Sequence, residues 1–139
     1  MKFKVYNKLP DEAVKIREEV FVREQGFENE FDEIDDNAWH IVLFWDDAPA
    51  AVCRFYKERS SEKYIVGRIA VLKPYRGRKF GSLLLEKAED EIKKAGGERA
   101  ELHAQVQAVP FYEKQGYSVY GGIGYEEYCP HIWMAKEIK

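Results

Sequence analysis

The stretch Val71–Leu84, reading VLKPYRGRKFGSLL, limits the fold of this chain more than any other. It carries an apolar strand candidate through a turn of glycines and cations into a helix. At such a junction the first N–H groups of the helix have no intrahelical partner, and with the N–H groups of the turn they surround one concavity. Arg76, Arg78 and Lys79 bring three cations, and Gly77 and Gly81 let backbone come close to a ligand. The helix dipole adds about 0.3–1 kcal/mol for an anion. A phosphate-binding turn in an α/β fold is therefore expected. The turn lacks the Gly-Lys-Ser/Thr ending of a nucleotide-triphosphate loop. A single basic turn without a second basic stripe argues against nucleic acid. Taken by itself, the turn could also be a solvated basic loop.

The order of elements around the turn narrows the fold. Lys2 to Asn7 alternates like a strand, and Leu9-Pro10-Asp11-Glu12 suits a helix start. Ala13, Ile16, Val20 and Phe21 form the apolar stripe of a helix over Asp11 to Gln25, which Gly26 stops. An acidic connector follows, Glu28 to Asp36, with six acids in nine residues. Runs at 40–45 and 50–56 around Asp46-Asp47-Ala48-Pro49 read as a hairpin, and Tyr64 to Leu72 as a further strand. Leu84, Ala88 and Ile92 repeat every four residues, and Gly96-Gly97 closes that helix. Arg99 to Gln105 reads as a strand, Ala108 to Gln115 as a short helix, and 118–121 and 131–138 as two last strands around a loop. This sequence of elements predicts a mixed α/β sheet with few parallel crossovers.

Composition closes off other classes. With 139 residues, 45% hydrophobic and 14% aromatic, the chain is expected to form one domain over 1–139 with its own core, which excludes disorder as its main state. A net charge of −3 argues against global adaptation to nucleic acid or an anionic membrane, so an anion site must be local. Two cysteines, Cys53 and Cys129, are too few for a disulfide scaffold and point to reduced thiols and a cytoplasmic location. No segment approaches the ~20 apolar residues of a membrane helix, and the N-terminus lacks a signal peptide's long apolar segment. His40, His103 and His131 are too scattered to predict a metal site.

Two segments carry a family resemblance. Val71–Leu84 resembles motif A of the GNAT N-acetyltransferases, Arg/Gln-x-x-Gly-x-Gly/Ala: Arg76 and Gly81 match, and Lys79 stands where the first glycine usually stands. Ala108-Val109-Pro110-Phe111-Tyr112-Glu113-Lys114-Gln115-Gly116-Tyr117 resembles motif B, with Gln105 at a place often held by Asn. The segments VFVREQ at 20–25, GRIAV at 67–71 and PHIWM at 130–134 are similar to ElaA-like acetyltransferases; Lys79 and the Pro-His ending also resemble glyphosate N-acetyltransferase. The resemblance implies the GNAT acyl-CoA N-acyltransferase fold, a mixed, mostly antiparallel twisted sheet flanked by helices. It also implies acetyl-CoA as co-substrate, a small primary amine as acceptor, no metal and a possible homodimer. The pyrophosphate would lie on the backbone of Arg76, Gly77, Arg78, Lys79, Phe80, Gly81 and Ser82. The pantetheine arm would pair with Ile69, Ala70 and Val71, and the Val71 N–H would face the thioester carbonyl as an oxyanion donor.

The acceptor needs a base, because an alkyl ammonium of pKa ~10.4 is neutral in only about one molecule per few thousand at pH 7. His131, with a reference pKa of ~6.5, is nominated, against a hydrogen-bonded sheet histidine. His103 and His40, each within or beside an apolar strand, read as structural. Tyr112 matches the motif B tyrosine that acts as general acid toward the leaving thiolate. A phenol of ~10 is about 1.5 units weaker than a thiol of ~8.5, so full transfer is uphill by roughly 2 kcal/mol and a donated hydrogen bond suffices. Its alternative is an aromatic packing residue. In the connector, Glu33 or Asp36 could attract or relay from the amine, or the run could be solvated. Arg17 and Arg68 could hold an acceptor carboxylate or pair with the connector's acids. A non-catalytic acyl-CoA sensor and a peptide or protein amine acetyltransferase remain the alternative functions.

Overall fold

The computed structural model describes residues 1–138. Seven strands form one sheet in the order β1-β2-β3-β4-β5-β7-β6. They are β1 (Lys2–Tyr6), β2 (Trp39–Trp45), β3 (Ala48–Lys57), β4 (Tyr64–Val71), β5 (Arg99–Gln105), β6 (Ser118–Glu126) and β7 (Cys129–Glu137). Among the described residues β4 and β5 make the one parallel pairing, and every other neighbouring pair is antiparallel. Helix α1 (Asp11–Arg17) covers one face and α2 (Phe80–Lys94) the other, while α3 (Val109–Lys114) follows β5.

The apolar run of β2 is explained by this layering. Ile41 and Leu43 point to the α2 side with Leu84, Leu85 and Ile92, whereas Val42 and Phe44 pack with Ala13, Ile16 and Val20 of the first helical segment. A strand buried on both faces loses the apolar-polar alternation of a half-exposed one. Each of these large side chains removed from water contributes about 1.5–3 kcal/mol. The hairpin of β2 and β3 turns on Asp46 and Asp47, both with positive φ (49° and 64°), which matches the twist of the flanking strands.

Two sequence expectations need correction. The helix expected over 11–25 is α-helical only to Arg17 and continues as a π-helical stretch over Glu18–Glu24, ended by Gly26 at φ +78°. The wider turn adds residues without changing which side is apolar, so the stripe cannot reveal it. The last two strands are not separated by a long loop. They are two nine-residue strands of one hairpin on either side of the turn Glu127–Tyr128, and the glycines at 122 and 124 that read as loop lie within β6, where the register slips between Val119 and Ile123.

Candidate active site

The site begins where β4 and β5 part. Their pairing covers Tyr64 with Ala100 and Ile65 with Glu101 and then stops. Beyond it β5 stays paired to β7 as far as Gln105 with His131, and β4 stays paired to β3. A bulge accompanies the parting: Arg68 and Ile69 together oppose the single residue Cys53, and Arg68 takes φ +53°. Bulges bend the strand that carries them. The result is a cleft of about 620 Å³ between the separated strands. The far half of β4 therefore offers an unpaired backbone edge toward this opening. The Leu72 N–H is donated to the Ala50 carbonyl on the β3 side at 3.0 Å, so by alternation Val71 turns its N–H and C=O to the open side. The Val71 carbonyl accepts from Arg76 Nε at 2.9 Å.

At the end of β4 lies the basic turn. Gly77 has φ +83° and Lys79 φ +64°, so both sit in the left-handed region. The position where motif A usually has glycine thus has the backbone that glycine favours, and a lysine there carries a cost of about 1 kcal/mol. Helix α2 starts without a side-chain cap, which leaves its first N–H groups free for an anion. A Cβ on Gly81 would meet the Phe111 ring at 3.4 Å, which places α3 directly against the start of α2. The cations themselves are exposed. Arg76 makes a two-pronged ion pair with Glu24 at 2.9 and 3.0 Å, and Arg78 lies over the rings of Trp45 and Tyr75.

The cleft itself gathers Ile69, Arg68, Gln105, Tyr112 and His131 of the sequence-nominated residues. Arg76 to Ser82 do not line it and flank it as the separate turn, and Ala70 is part of the core beside α1. Cross-strand neighbours of β5 and β7 share a face. His103 is opposite Trp133 and Gln105 opposite His131, and Glu126 of β6 joins them. His131 is buried, its Nδ1 2.9 Å from the Cys129 carbonyl. A carbonyl only accepts, so Nδ1 carries the hydrogen and Nε2 keeps its lone pair in the neutral ring. His103 Nδ1 meets Glu126 Oε2 at 2.5 Å, and the same oxygen lies 3.7 Å from His131 Nε2. The His103 ring stacks on Trp133 at 4.6 Å. His103, expected to be purely structural, is thus at the cleft beside His131. Tyr112 packs edge-on to Phe111 and Tyr117, and burial, with Cys53 nearby, pushes its phenol well above the ordinary range. It therefore remains a protonated donor at any physiological pH.

A charge network closes the other wall. Arg17, only 1% exposed, donates to Glu30 at 2.8 Å and to Asp35 at 2.7 and 3.0 Å. Arg54 donates to Asp32 at 2.7 Å and Asp35 at 2.8 Å, and Arg68 reaches Glu30 at 2.9 Å and Asp32 at 3.4 Å. Burial works to raise the Asp35 carboxyl, but the hydrogen bonds and charges of Arg17 and Arg54 outweigh it and hold Asp35 at about 2. At Glu30 burial wins and the carboxyl is raised despite Arg68 and Arg17. This geometry follows the second of the two readings open for Arg17, Arg68 and Glu33, in which the arginines pair with the connector's acids and Glu33 is solvated. Arg17 lies beneath the cleft with its guanidinium spent on acids, and pairing with the connector is also what occupies Arg68. Glu33 is exposed and away from the cleft, because a 3-10 turn at Glu33–Asp36 sends Asp35 inward instead; the connector acids that reach the cleft are Glu30 and Asp32.

Glu30, Asp32, Arg54 and Glu126 were not singled out from the sequence, and His103 was read there as structural. The polar alternation Arg99, Glu101, His103, Gln105 against Ala100, Leu102, Ala104 was the available signal for His103. Among the described residues no helix is long and apolar enough to cross a membrane, and no His, Cys, Asp and Glu cluster is arranged for a metal.

Comparison with known proteins adds an independent finding. A family model described as an acetyltransferase (GNAT) domain matches residues 6–138. An uncharacterized N-acetyltransferase of Bacillus subtilis, YjcF, is 35% identical over 132 residues, covering 91% of each chain. The crystal structure of Escherichia coli ElaA superposes with a TM-score of 0.86 at 26% identity, over 98% of this chain and 99% of that one. An aminoglycoside 6'-N-acetyltransferase crystallised with coenzyme A shares the fold at a TM-score of 0.79 and 16% identity, over 100% and 98% of the two chains.

Proposed function

Because the chain belongs to the GNAT acetyltransferases, we propose that it transfers the acetyl group of acetyl-CoA directly to a primary amine of a small molecule, with cofactor and acceptor bound together. The observation that carries this function is the parting of β4 from β5 after two residue pairs, which leaves an open backbone edge leading from the basic turn to a cleft holding His131 and Tyr112. Acetyl-CoA supplies the activated acetyl group. The free N–H groups at the start of α2, with Arg78 and Lys79, suit its pyrophosphate. The unpaired edge Ile69 to Val71 suits its amide-bearing arm, and the Val71 N–H is available for negative charge developing on the acetyl oxygen.

On the acceptor side His131 takes the amine proton at Nε2, with the Cys129 carbonyl fixing the tautomer. Tyr112 donates a hydrogen bond to the departing sulfur. Since burial raises its phenol further, full transfer from Tyr112 is more uphill than the ~2 kcal/mol of an ordinary phenol–thiol pair, and a shared proton is the reasonable limit. The exposed edge strand β6, with Ile123 and Tyr125 open to water, supports self-association of two copies, which light scattering would detect as a doubled mass.

The test has two stages. CoA at a hundredfold excess over its dissociation constant should add ~2.7 kcal/mol of stability, seen as a rise in melting temperature. Acetyl-CoA with a panel of primary amines should then release thiol and give acetylated amine by mass spectrometry. Stabilisation by CoA without amine-dependent release would indicate a sensor instead.

A further inference from the structure

The geometry points to Glu126, oriented by His103, as the seat for the acceptor's ammonium group, and to a cationic amine without a neighbouring carboxylate or phosphate as the acceptor class; this rests on the transfer reaction above. Glu126 lines the cleft with its side chain 38% exposed. One oxygen, Oε2, is held by His103 Nδ1–H at 2.5 Å, and the stack of His103 on Trp133 fixes that donor in turn. The other oxygen, Oε1, takes no hydrogen bond among the described residues. The carboxylate is therefore positioned by the protein yet retains accepting capacity toward the cleft. Its distance of 3.7 Å from His131 Nε2 is too long for a direct bond and leaves the two groups side by side.

A primary ammonium has three N–H bonds and can donate to both. Bound this way, it loses one proton to Nε2: that N–H bond breaks, its electron pair stays on the amine nitrogen, and a new N–H forms on the imidazole. The imidazolium so formed lies beside the Glu126 carboxylate. Glu126 thus contributes to binding the cation and to accepting its charge, and His103 is a positioning residue acting through it.

The class of acceptor follows from where the arginines spend their charge. Arg54 and Arg68 are the arginines lining the cleft, and both are paired with Glu30, Asp32 or Asp35 at 2.7–3.4 Å, as is Arg17 beneath them. An acceptor carboxylate would have to break these pairs to gain a partner. Glu127 next to the seat is likewise spent, accepting from the Glu28 and Asn29 N–H groups at 2.9 and 3.0 Å. Glu126, beside His131, has no arginine or lysine within ion-pair distance among the described residues, and its sign selects cations.

A matched series tests this: 1,4-diaminobutane, n-butylamine and 4-aminobutanoate have the same four-carbon spacing and end in a cation, a methyl and an anion. With acetyl-CoA, wild-type protein should give a kcat/KM at least tenfold higher for the first two than for the aminobutanoate. Glu126→Gln should raise KM for the diamine about tenfold with a smaller change in kcat, and narrow the preference. His103→Gln should move KM in the same direction by less. Glu126→Asp keeps the charge and must keep the preference, which separates charge loss from fold loss if Glu126→Gln is unstable. Equal or preferred use of 4-aminobutanoate, or an unchanged KM in Glu126→Gln, overturns the seat and leaves acetyl transfer standing. Thiol release with none of the three amines overturns the transfer reaction and the seat with it.

Discussion

The basic turn and the arginine network beneath the cleft both use guanidinium groups, yet they use them in opposite ways. In the turn, Arg76, Arg78 and Lys79 are exposed, and what binds an anion is backbone N–H presented by two left-handed residues and an uncapped helix. In the network, Arg17 and Arg54 are buried with Glu30 and Asp35, so every charge depends on its partner being present. The difference is one of solvent. An exposed cation can lose its partner to water, whereas a buried one cannot. The turn is accordingly tolerant of side-chain change and sensitive to backbone conformation, and the network is the reverse.

The largest effects that would break this contrast lie in the network. Arg17→Met should cost about 3–5 kcal/mol by chemical denaturation, since it takes from each of the buried acids Glu30 and Asp35 one of its two arginine partners. A loss below 1 kcal/mol would make the network no different from a surface pair. Acid is the next lever. Asp35 is depressed to about 2, so the stability it contributes is complete above its unfolded value near 3.9 and is lost as pH falls through about 2, at most roughly 2.6 kcal/mol. His40, lowered by burial, adds a loss that begins as pH drops below ~6.5, while the raised Glu30 works the other way. The urea midpoint should therefore fall in two steps, and Asp35→Asn should remove the lower one.

In the turn, Gly77→Ala should destabilise by about 1 kcal/mol, and Lys79→Gly should stabilise by a similar or smaller amount. The same sign for both would mean that left-handed backbone does not govern the turn. Smallest of all, Arg78→Ala should shift stability by less than about 0.5 kcal/mol and weaken CoA less than tenfold by calorimetry.

The same contrast explains what could be read from the sequence. Glycines, cations and a four-residue apolar repeat mark the turn and α2 locally, and so these were legible. The network is assembled from α1, the connector, β3 and β4, and nothing in a run of six acids says which ones face inward. That choice is made by the 3-10 turn at Glu33–Asp36, which buries Asp35 and exposes Glu33. Glu126 was hidden for another reason: the glycines before it read as loop, although register slippage lets β6 absorb them. His131 and Tyr112 were legible through resemblance, whereas His103 beside it needed the alternation of β5 to be given more weight than its apolar neighbours.

In the proposed function the cleft does acid–base chemistry on an amine while the turn only holds the cofactor. Thiol release from acetyl-CoA with n-butylamine, followed from pH 6 to pH 10 in wild type and His131→Ala together, tests it most directly. His131→Ala should lose about 10²-fold or more near pH 7, a gap that narrows as pH approaches the ammonium's own pKa of ~10.4. Equal rates for the two proteins at every pH would contradict it.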